Sequence, residues 1–151
     1  MEIIAYDPFL SDERAKNLKI YKTKDLNDLL SQSDVVTLHL PKNENTHNII
    51  SRENIYKMKK GSILVNCARG GLVEEIAVAE AIKTKHLSAA AFDVFLEEPA
   101  TSNPLFGLKN VICTPHLGAS TAEAQEKVSF QIADQIINYL KNCLLYTSDA
   151  A

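Results

Sequence analysis

Apolar and polar positions follow two different periods along this chain, and their alternation predicts strands interleaved with helices. Short apolar or β-branched runs predict strands at Ile3, Ile4 and Tyr6, then at 34–40 (DVVTLHL), 62–66 (SILVN), 89–94 (AAAFDV) and 110–113 (NVIC). Between these runs, helices are predicted to begin near positions 11, 25, 51, 73 and 120. The first is polar and is indicated by a capping residue and early acids at 11–13, whereas the helices at 25 and 120 carry apolar residues on one face. Strands that alternate with helices predict βαβ units, so we expect an α/β fold with a mostly parallel sheet.

The longest helical pattern covers 120–142, and its apolar residues form one stripe: Ala124, Val128, Ile132, Ile136 and Leu140. The final nine residues, CLLYTSDAA, break this pattern and resemble the translation of a transposon adaptor used in DNA sequencing libraries. We therefore expect residues 143–151 to lie outside the fold, the alternative being a natural C-terminal tail. The remaining residues, 1–142, have the length of a single domain.

Composition excludes several classes of function. Hydrophobic residues make up 46% and charged residues 23% of the chain, which is typical of a globular protein and not of a disordered one. With 16 Lys and Arg against 19 Asp and Glu, the net charge of −3 argues against a nucleic-acid partner. No apolar run approaches the roughly 20 residues of a membrane span, and the first residues show no secretion signal. The three cysteines, Cys67, Cys113 and Cys143, form no CxxC pair, which favours a reducing cytoplasmic location.

Five polar residues lie at or just beyond the ends of predicted strands: Asp7, His39, Arg69, Asp93 and His116. In parallel sheets of this class, ligands bind outside the carboxyl ends of the strands. The pattern therefore predicts a binding site at this edge of the sheet.

Two of these residues suggest the recognition of a ligand: Asp7 that of a nucleotide and Arg69 that of an acid. An acidic residue at the end of a strand, as Asp7 is, can accept hydrogen bonds from ribose hydroxyls and would repel a 2′-phosphate, which favours NAD over NADP. The guanidinium of Arg69, in the turn NCARGG, could hold a carboxylate through two hydrogen bonds. The alternatives are a loop aspartate before proline and a surface arginine.

A histidine and a carboxylate could supply proton transfer. Histidine titrates near neutral pH, so His116 could exchange a proton with a substrate hydroxyl. A carboxylate such as Glu98 beside an imidazole favours the protonated ring, although Glu97 and Glu98 could also form a solvated turn. We expect His47 and His86 to be exposed, whereas His39 ends a strand. No set of residues has the spacing of metal ligands, and no G-x-S-x-G elbow is present.

Several strings occur in a characteristic order: YDP, SDVVTLHLP, MKKGSILVNCARGGLVEE, AAAFDVFLEEP and TPHLGASTAEAQ. Together they make residues 2–142 resemble the NAD-binding domain of the D-isomer-specific 2-hydroxyacid dehydrogenases. The resemblance implies a Rossmann-like parallel sheet with helices on both faces, and NAD as cofactor. It also implies that the first strand and the glycine-rich loop G-x-G-x-x-G are missing here, as is the substrate domain.

The resemblance assigns expected roles to individual residues. Arg69 would bind the substrate carboxylate and keto oxygen, His116 would exchange the proton of the 2-hydroxyl, and Glu98 would pair with His116. Asp7 would bind the adenosine ribose, and Asp93 would lie near the nicotinamide amide. The other expected cofactor contacts are Leu40, Cys67, Ala68, Leu117, Gly118 and Ala119.

The implied reaction is hydride transfer between NAD and C2 of a small-molecule 2-hydroxyacid. The forms NCARGG and HLGASTAEAQ are characteristic of members that convert 3-phosphoglycerate to 3-phosphohydroxypyruvate, the first committed step of serine synthesis. A hydroxypyruvate/glyoxylate reductase or another 2-hydroxyacid dehydrogenase is an alternative, and so is a non-catalytic NAD-sensing regulator. The resemblance also implies a homodimer for the intact protein.

The expected strand order of this fold, 3-2-1-4-5-6, has a consequence for the sheet. Strand 1 lies at the centre of that order, and the chain resembles the family only from strand 2 onward. We therefore expect strands 2 and 3 to be separated from strands 4 to 6, and the isolated chain to be poorly stable and inactive.

Overall fold

The computed structural model describes residues 1–118 and 120–142, and in these ranges strands and helices alternate except that the last two strands follow each other. In chain order the elements are β1 (Ile4–Ala5), α1 (Asp12–Asn17), β2 (Tyr21–Lys22), α2 (Leu26–Gln32), β3 (Val35–Leu38), α3 (Arg52–Lys57), β4 (Ser62–Asn66), α4 (Glu75–Lys83), β5 (Leu87–Phe92), β6 (Val111–Cys113) and α5 (Ala122–Asn142). Every predicted strand and helix is present, and the structure adds β2, which is too short to show a period. The predictions for Ala119 and for residues 143–151 fall outside the described residues.

Three of the helices begin after a capping residue that has an extended backbone and a side-chain acceptor. The side chains of Ser11, Asp25 and Ser51 each accept the backbone N–H three positions later. Such caps satisfy one of the amide groups that the first turn of a helix leaves unpaired. Helix α4 begins after Glu74, whose carboxylate instead accepts the N–H of Arg52 at 2.8 Å and so connects α4 to α3.

The strands form two separate parallel sheets, β1-β2 and β3-β4-β5-β6. The first predicted strand, now β1, is separated from the later ones as expected. The second predicted strand, 34–40, is not, because as β3 it pairs with β4, and the strand that accompanies β1 is the unpredicted β2. Within the described residues, no strand bridges β1-β2 to the four-stranded sheet. In the larger sheet the register pairs Asn66 at the end of β4 with Phe92 at the end of β5, so the carboxyl ends of these strands lie side by side.

One face of the four-stranded sheet forms the core. Burial alternates along β3: Val36 and Leu38 are buried, whereas Val35, the first residue of the strand, is 50% exposed. The buried face packs against helices α2, α3 and α4, and its central members are Leu30, Val36, Leu38, Ile55, Leu64, Val78, Leu87 and Phe92. The opposite face is only partly covered, and Ile112 in β6 is 68% exposed. The expected helical layer is thus established on one face of this sheet.

The predicted last helix is confirmed as α5, but its apolar stripe is exposed. Val128, Ile132, Ile136 and Leu140 are 47%, 51%, 54% and 75% exposed. The period of the sequence predicted the helix correctly and could not show whether another element packs against it. None of the helices in residues 1–118 and 120–142 has both the length and the apolarity needed to cross a membrane.

Candidate functional site

The structure places the five strand-end residues as the sequence predicted. His39 and Asp93 directly follow β3 and β5, while Arg69 and His116 lie three residues beyond β4 and β6. Because β3 to β6 are parallel, these four residues lie along one edge of the larger sheet. Asp7 lies two residues beyond β1, at the corresponding edge of the smaller sheet.

Glu98 and His116 form a direct pair. Nδ1 of His116 lies 2.7 Å from Oε2 of Glu98, and the other carboxylate oxygen, Oε1, accepts the N–H of Phe95 at 2.9 Å. The hydrogen bond with His116 and then that from Phe95 hold the pKa of Glu98 below its usual value. Because Nδ1 is occupied by the carboxylate, Nε2 is the ring nitrogen that can serve a substrate hydroxyl.

Asp93 is buried directly below the loop that carries His116. Its Oδ1 accepts the hydroxyl of Thr114 at 2.5 Å and the N–H of Leu117 at 2.8 Å, and its Oδ2 accepts the N–H of Gly118 at 2.8 Å. Burial by itself would raise the pKa of Asp93, but these three hydrogen bonds lower it below its usual value. His116 between them has φ 56°, a left-handed conformation that costs a non-glycine residue about 1–2 kcal/mol. The carboxylate therefore fixes the loop on both sides of the strained histidine.

The turn that carries Arg69 is organised by Asn66, which the sequence reasoning missed. This buried side chain donates from Nδ2 to the carbonyl of Arg69 at 3.0 Å and accepts the N–H of Ala68 at 3.1 Å. The carbonyl of Asn66 also accepts the N–H of Asp93 at 3.0 Å, so the turns after β4 and β5 are directly connected. The sequence signal that could have identified Asn66 is its place as the polar residue at the end of the apolar run SILVN.

The side chain of Arg69 is exposed, and the turn around it contacts the loop of Glu98. Nη1 of Arg69 donates to the carbonyl of Ala68 at 2.6 Å. The next residue, Gly70, packs directly against the carbonyl of Phe95. The structure thus pairs Glu98 with His116 and joins the Arg69 turn to their loop through the main chain.

A cavity of about 530 Å³ opens beside the Glu98–His116 pair. Its other lining residues are mostly apolar: Phe95, Pro99, Ala100, Phe106, Cys113, Thr114 and Pro115. Burial, and then the charge of Glu75, raises the pKa of the Cys113 thiol, so the cavity holds an unreactive thiol at neutral pH.

The remaining histidines lie away from this pair. Nε2 of His39 is 3.1 Å from the hydroxyl of Thr37, and the side chain is exposed. His47 is exposed as expected. The expectation that His86 is exposed is wrong, because it is half-buried, its Nε2 lies 3.0 Å from the carbonyl of Ile55, and its ring packs against Tyr56. In the ranges 1–118 and 120–142, no cluster of three or more His, Cys, Asp or Glu could hold a metal ion.

The expected cofactor contacts offer groups that suit a nicotinamide dinucleotide. Asp7 is exposed, and its Oδ1 accepts the N–H of Phe9 at 2.8 Å, which orients the carboxylate and leaves Oδ2 for ribose hydroxyls. Cys67, Leu117 and Gly118 are exposed and Ala68 is half-buried along the sheet edge, whereas Leu40 packs partly against the core. The 151 residues contain no G-x-G-x-x-G string. The residues present therefore fit the ribose and the nicotinamide, and the usual pyrophosphate loop is not among them.

Residues 1–118 match the family described as D-isomer specific 2-hydroxyacid dehydrogenase, NAD binding domain. The chain belongs to this family. The Rossmann-like α/β fold and the NAD-binding character that the sequence predicted for this dehydrogenase domain are thereby confirmed.

Curated relatives of this dehydrogenase domain include phosphoglycerate dehydrogenases. The D-3-phosphoglycerate dehydrogenase of Methanocaldococcus jannaschii is 49% identical over 141 residues, which cover 93% of this chain and 27% of the relative. The corresponding enzyme of Bacillus subtilis is 41% identical over the same shares of both chains. The chain thus spans about a quarter of the length of these relatives.

Solved structures of other family members share the fold. The D-mandelate dehydrogenase of Rhodotorula graminis in its holo form has a TM-score of 0.80 and 31% identity, over 92% of this chain and 41% of that one. A glyoxylate reductase from Paecilomyes thermophila has a TM-score of 0.82 and 29% identity, over 97% of this chain and 44% of that one.

Proposed function

We propose that this chain is the cofactor-binding part of an NAD-dependent D-2-hydroxyacid dehydrogenase that converts 3-phosphoglycerate to 3-phosphohydroxypyruvate, a step of serine synthesis. The observation that carries the proposal is the 2.7 Å pair of Glu98 and His116 on the sheet edge that also bears Arg69. The choice of substrate rests on relatives at 41–49% identity that are D-3-phosphoglycerate dehydrogenases. By the intact enzyme we mean this chain together with the first strand, the glycine-rich loop and the substrate domain of such a dehydrogenase.

Each of the three side chains has a task that its geometry suits. The exposed guanidinium of Arg69 would bind the substrate carboxylate through two hydrogen bonds and so orient C2. Nε2 of His116 would take the proton of the 2-hydroxyl as C2 is oxidised, and would return it in the reverse direction. Glu98 would hold the ring in one orientation and stabilise the imidazolium that forms. Bound NAD would supply the hydride acceptor.

The proposed cofactor contacts lie at the carboxyl ends of strands in both sheets. Asp7 would bind the adenosine ribose, and the turn 67–69 with residues 116–118 would line the nicotinamide, together with Leu40 and Asp93. A homodimer in a cytoplasmic location, with the 2-hydroxyacid as the small-molecule partner, completes the proposal.

A second candidate is a glyoxylate or hydroxypyruvate reductase. The observation in its favour is the glyoxylate reductase structure, which matches 97% of the chain at a TM-score of 0.82. Both candidates would use the same pair of Glu98 and His116, so they differ in the substrate and not in the chemistry of this chain.

Steady-state kinetics of the intact enzyme test the proposal. We expect NAD reduction with D-3-phosphoglycerate at a kcat/KM at least about tenfold above that with D-glycerate, which corresponds to roughly 1.4 kcal/mol of discrimination. A reversed preference would instead support the reductase. The His116→Gln variant is the control, and its kcat should fall by about 10²–10⁴-fold. No turnover with any 2-hydroxyacid would refute the proposal.

A further inference from the structure

The peptide group between Phe95 and Leu96 is held from two sides. On one side lies Gly70, where an added Cβ would be 1.7 Å from the carbonyl oxygen of Phe95 and 3.0 Å from the nitrogen of Leu96. On the other side lies Glu75, whose Oε1 accepts the N–H of Leu96 at 2.8 Å. This peptide therefore has little freedom to move relative to the Arg69 turn or to α4.

The same segment holds the carboxylate of the acid–base pair. The N–H of Phe95 donates to Oε1 of Glu98, and Oε2 of Glu98 contacts His116. A displacement of Phe95 would therefore change the position of the carboxylate and, through it, that of the imidazole. Glu75 adds a second restraint, because its Oε2 accepts Nδ2 of Asn103 at 2.6 Å in the segment that follows Glu98.

The need for glycine at position 70 is steric. Gly70 does not adopt the left-handed backbone conformation, so an alanine would be free of backbone strain there. A carbon normally stays about 3.3 Å or more from a carbonyl oxygen, so a methyl group at position 70 would push Phe95 away by roughly 1.5 Å. The obstacle is main chain and not the end of a flexible side chain.

We propose that Gly70 and Glu75 are positioning residues that set the distance between the substrate-binding Arg69 and the Glu98–His116 pair. Neither residue touches the reacting atoms, and both act through the Phe95–Leu96 peptide. This inference rests on the proposed function, because only the proposed roles of Arg69, Glu98 and His116 require a fixed distance between them.

A double-mutant cycle in the intact enzyme tests the coupling. Gly70→Ala should lower kcat by about 10–100-fold, as loss of a supporting contact behind a functional group commonly does. In the Glu98→Gln background the same substitution should cost less than about threefold, because residues that act through one contact are not additive. Losses that multiply independently, or an unchanged kcat in Gly70→Ala, would overturn the inference.

Gly61→Ala is the matched control. Unlike Gly70, Gly61 has nothing within 4 Å of its Cβ position, but it has φ +87° and lies before β4, at the opposite end of that strand from Arg69. The control should lower the melting temperature through backbone strain while kcat stays within about twofold of the original, since strain alone costs about 1–2 kcal/mol. A comparable loss of kcat in this variant would show that Gly70→Ala acts through general destabilisation.

Glu75 keeps the test decisive if Gly70→Ala fails to fold. Glu75→Ala removes the acceptor of the Leu96 N–H, whereas Glu75→Gln retains an oxygen for it. We expect Glu75→Ala to lower kcat, Glu75→Gln to restore most of it, and the NMR signal of the His116 Nδ1–H proton to broaden only in the alanine variant. Equal activities and equal spectra would refute the inference. An inactive original enzyme would refute the proposed function, whereas an active enzyme with additive losses would refute only the positioning role.

Discussion

Replacing Asp93 by asparagine tests how firmly the loop around His116 is held. The carboxylate accepts hydrogen bonds from Thr114, Leu117 and Gly118. Asparagine keeps one oxygen, which can serve Thr114 and Leu117, but it presents an NH₂ group to the N–H of Gly118. One hydrogen bond to a charged acceptor is lost, which is worth about 1.5–3 kcal/mol, and the other two become neutral and weaker.

These magnitudes can be compared with the strain at His116. Removing a buried charge offsets part of the loss, so we take a net weakening of about 2–3 kcal/mol. The left-handed conformation of His116 costs about 1–2 kcal/mol, which is smaller. The loop should therefore relax and move the imidazole away from Glu98, and kcat/KM of the intact enzyme should fall by roughly 10–100-fold.

Two measurements and a control variant separate this explanation from others. The dissociation constant of NAD reports any loss of cofactor contact, and the Nδ1–H proton signal of His116 reports the pair with Glu98. Thr114→Val is the control, because it removes one of the three hydrogen bonds and should cost only about 0.5–1.5 kcal/mol. If Asp93→Asn keeps kcat/KM within about threefold of the original and leaves the proton signal unchanged, our account of the loop is wrong.

The same variant has an expected pH dependence. Because the pKa of Asp93 is lowered in the folded protein, its carboxylate stabilises the fold fully above the unfolded pKa of about 3.9. That contribution is lost as the pH falls through the lower, folded pKa. The difference in free energy of unfolding between the original protein and Asp93→Asn should therefore be constant near neutral pH and shrink below about pH 4.

The other predictions concern separate features of the chain. Arg69→Lys in the intact enzyme should raise the KM for the 2-hydroxyacid by about 10–150-fold in steady-state assays. A lysine cannot make the bidentate interaction of arginine with a carboxylate, which is worth roughly 1.5–3 kcal/mol. Asp7→Asn should improve the ratio of NADP to NAD affinity, measured by fluorescence titration, because it removes a charge that repels a 2′-phosphate. Cys67 should react with a thiol reagent faster than Cys113 in mass-spectrometric mapping, since the former is exposed and the pKa of the latter is raised. Residues 1–142 alone should melt without strong cooperativity in calorimetry, because their strands form two separate sheets.

Each of these predictions has an outcome that contradicts it. An unchanged KM for the 2-hydroxyacid in Arg69→Lys would mean that the arginine does not bind the carboxylate. The melting temperature of Arg69→Ala then shows whether the arginine contributes to folding instead. An unaltered cofactor preference in Asp7→Asn would remove Asp7 from the ribose site. Equal labelling rates for the two cysteines would contradict the partial burial of Cys113, and a sharp melt with tight NAD binding would contradict the expected instability.

Local patterns in the sequence were sufficient for the elements and for most of the candidate site. Strand β4 occupies the predicted positions 62–66, and the helix starts predicted near positions 11, 25 and 51 coincide with the capping residues of the structure. These predictions succeed because hydrophobic period and capping depend on neighbours a few positions apart. The placement of Arg69 and His116 beyond strand ends follows from the same local information.

Contacts between distant segments were decided only by the tertiary structure. Asn66 bonds to the Arg69 turn, Asp93 fixes the loop of His116, and Glu75 holds the segment before Glu98. The partial burial of His86 and the exposure of the stripe on α5 also depend on which element packs alongside. A sequence pattern records what each residue can do, whereas the partner that it meets is set by the packing of segments tens of residues apart.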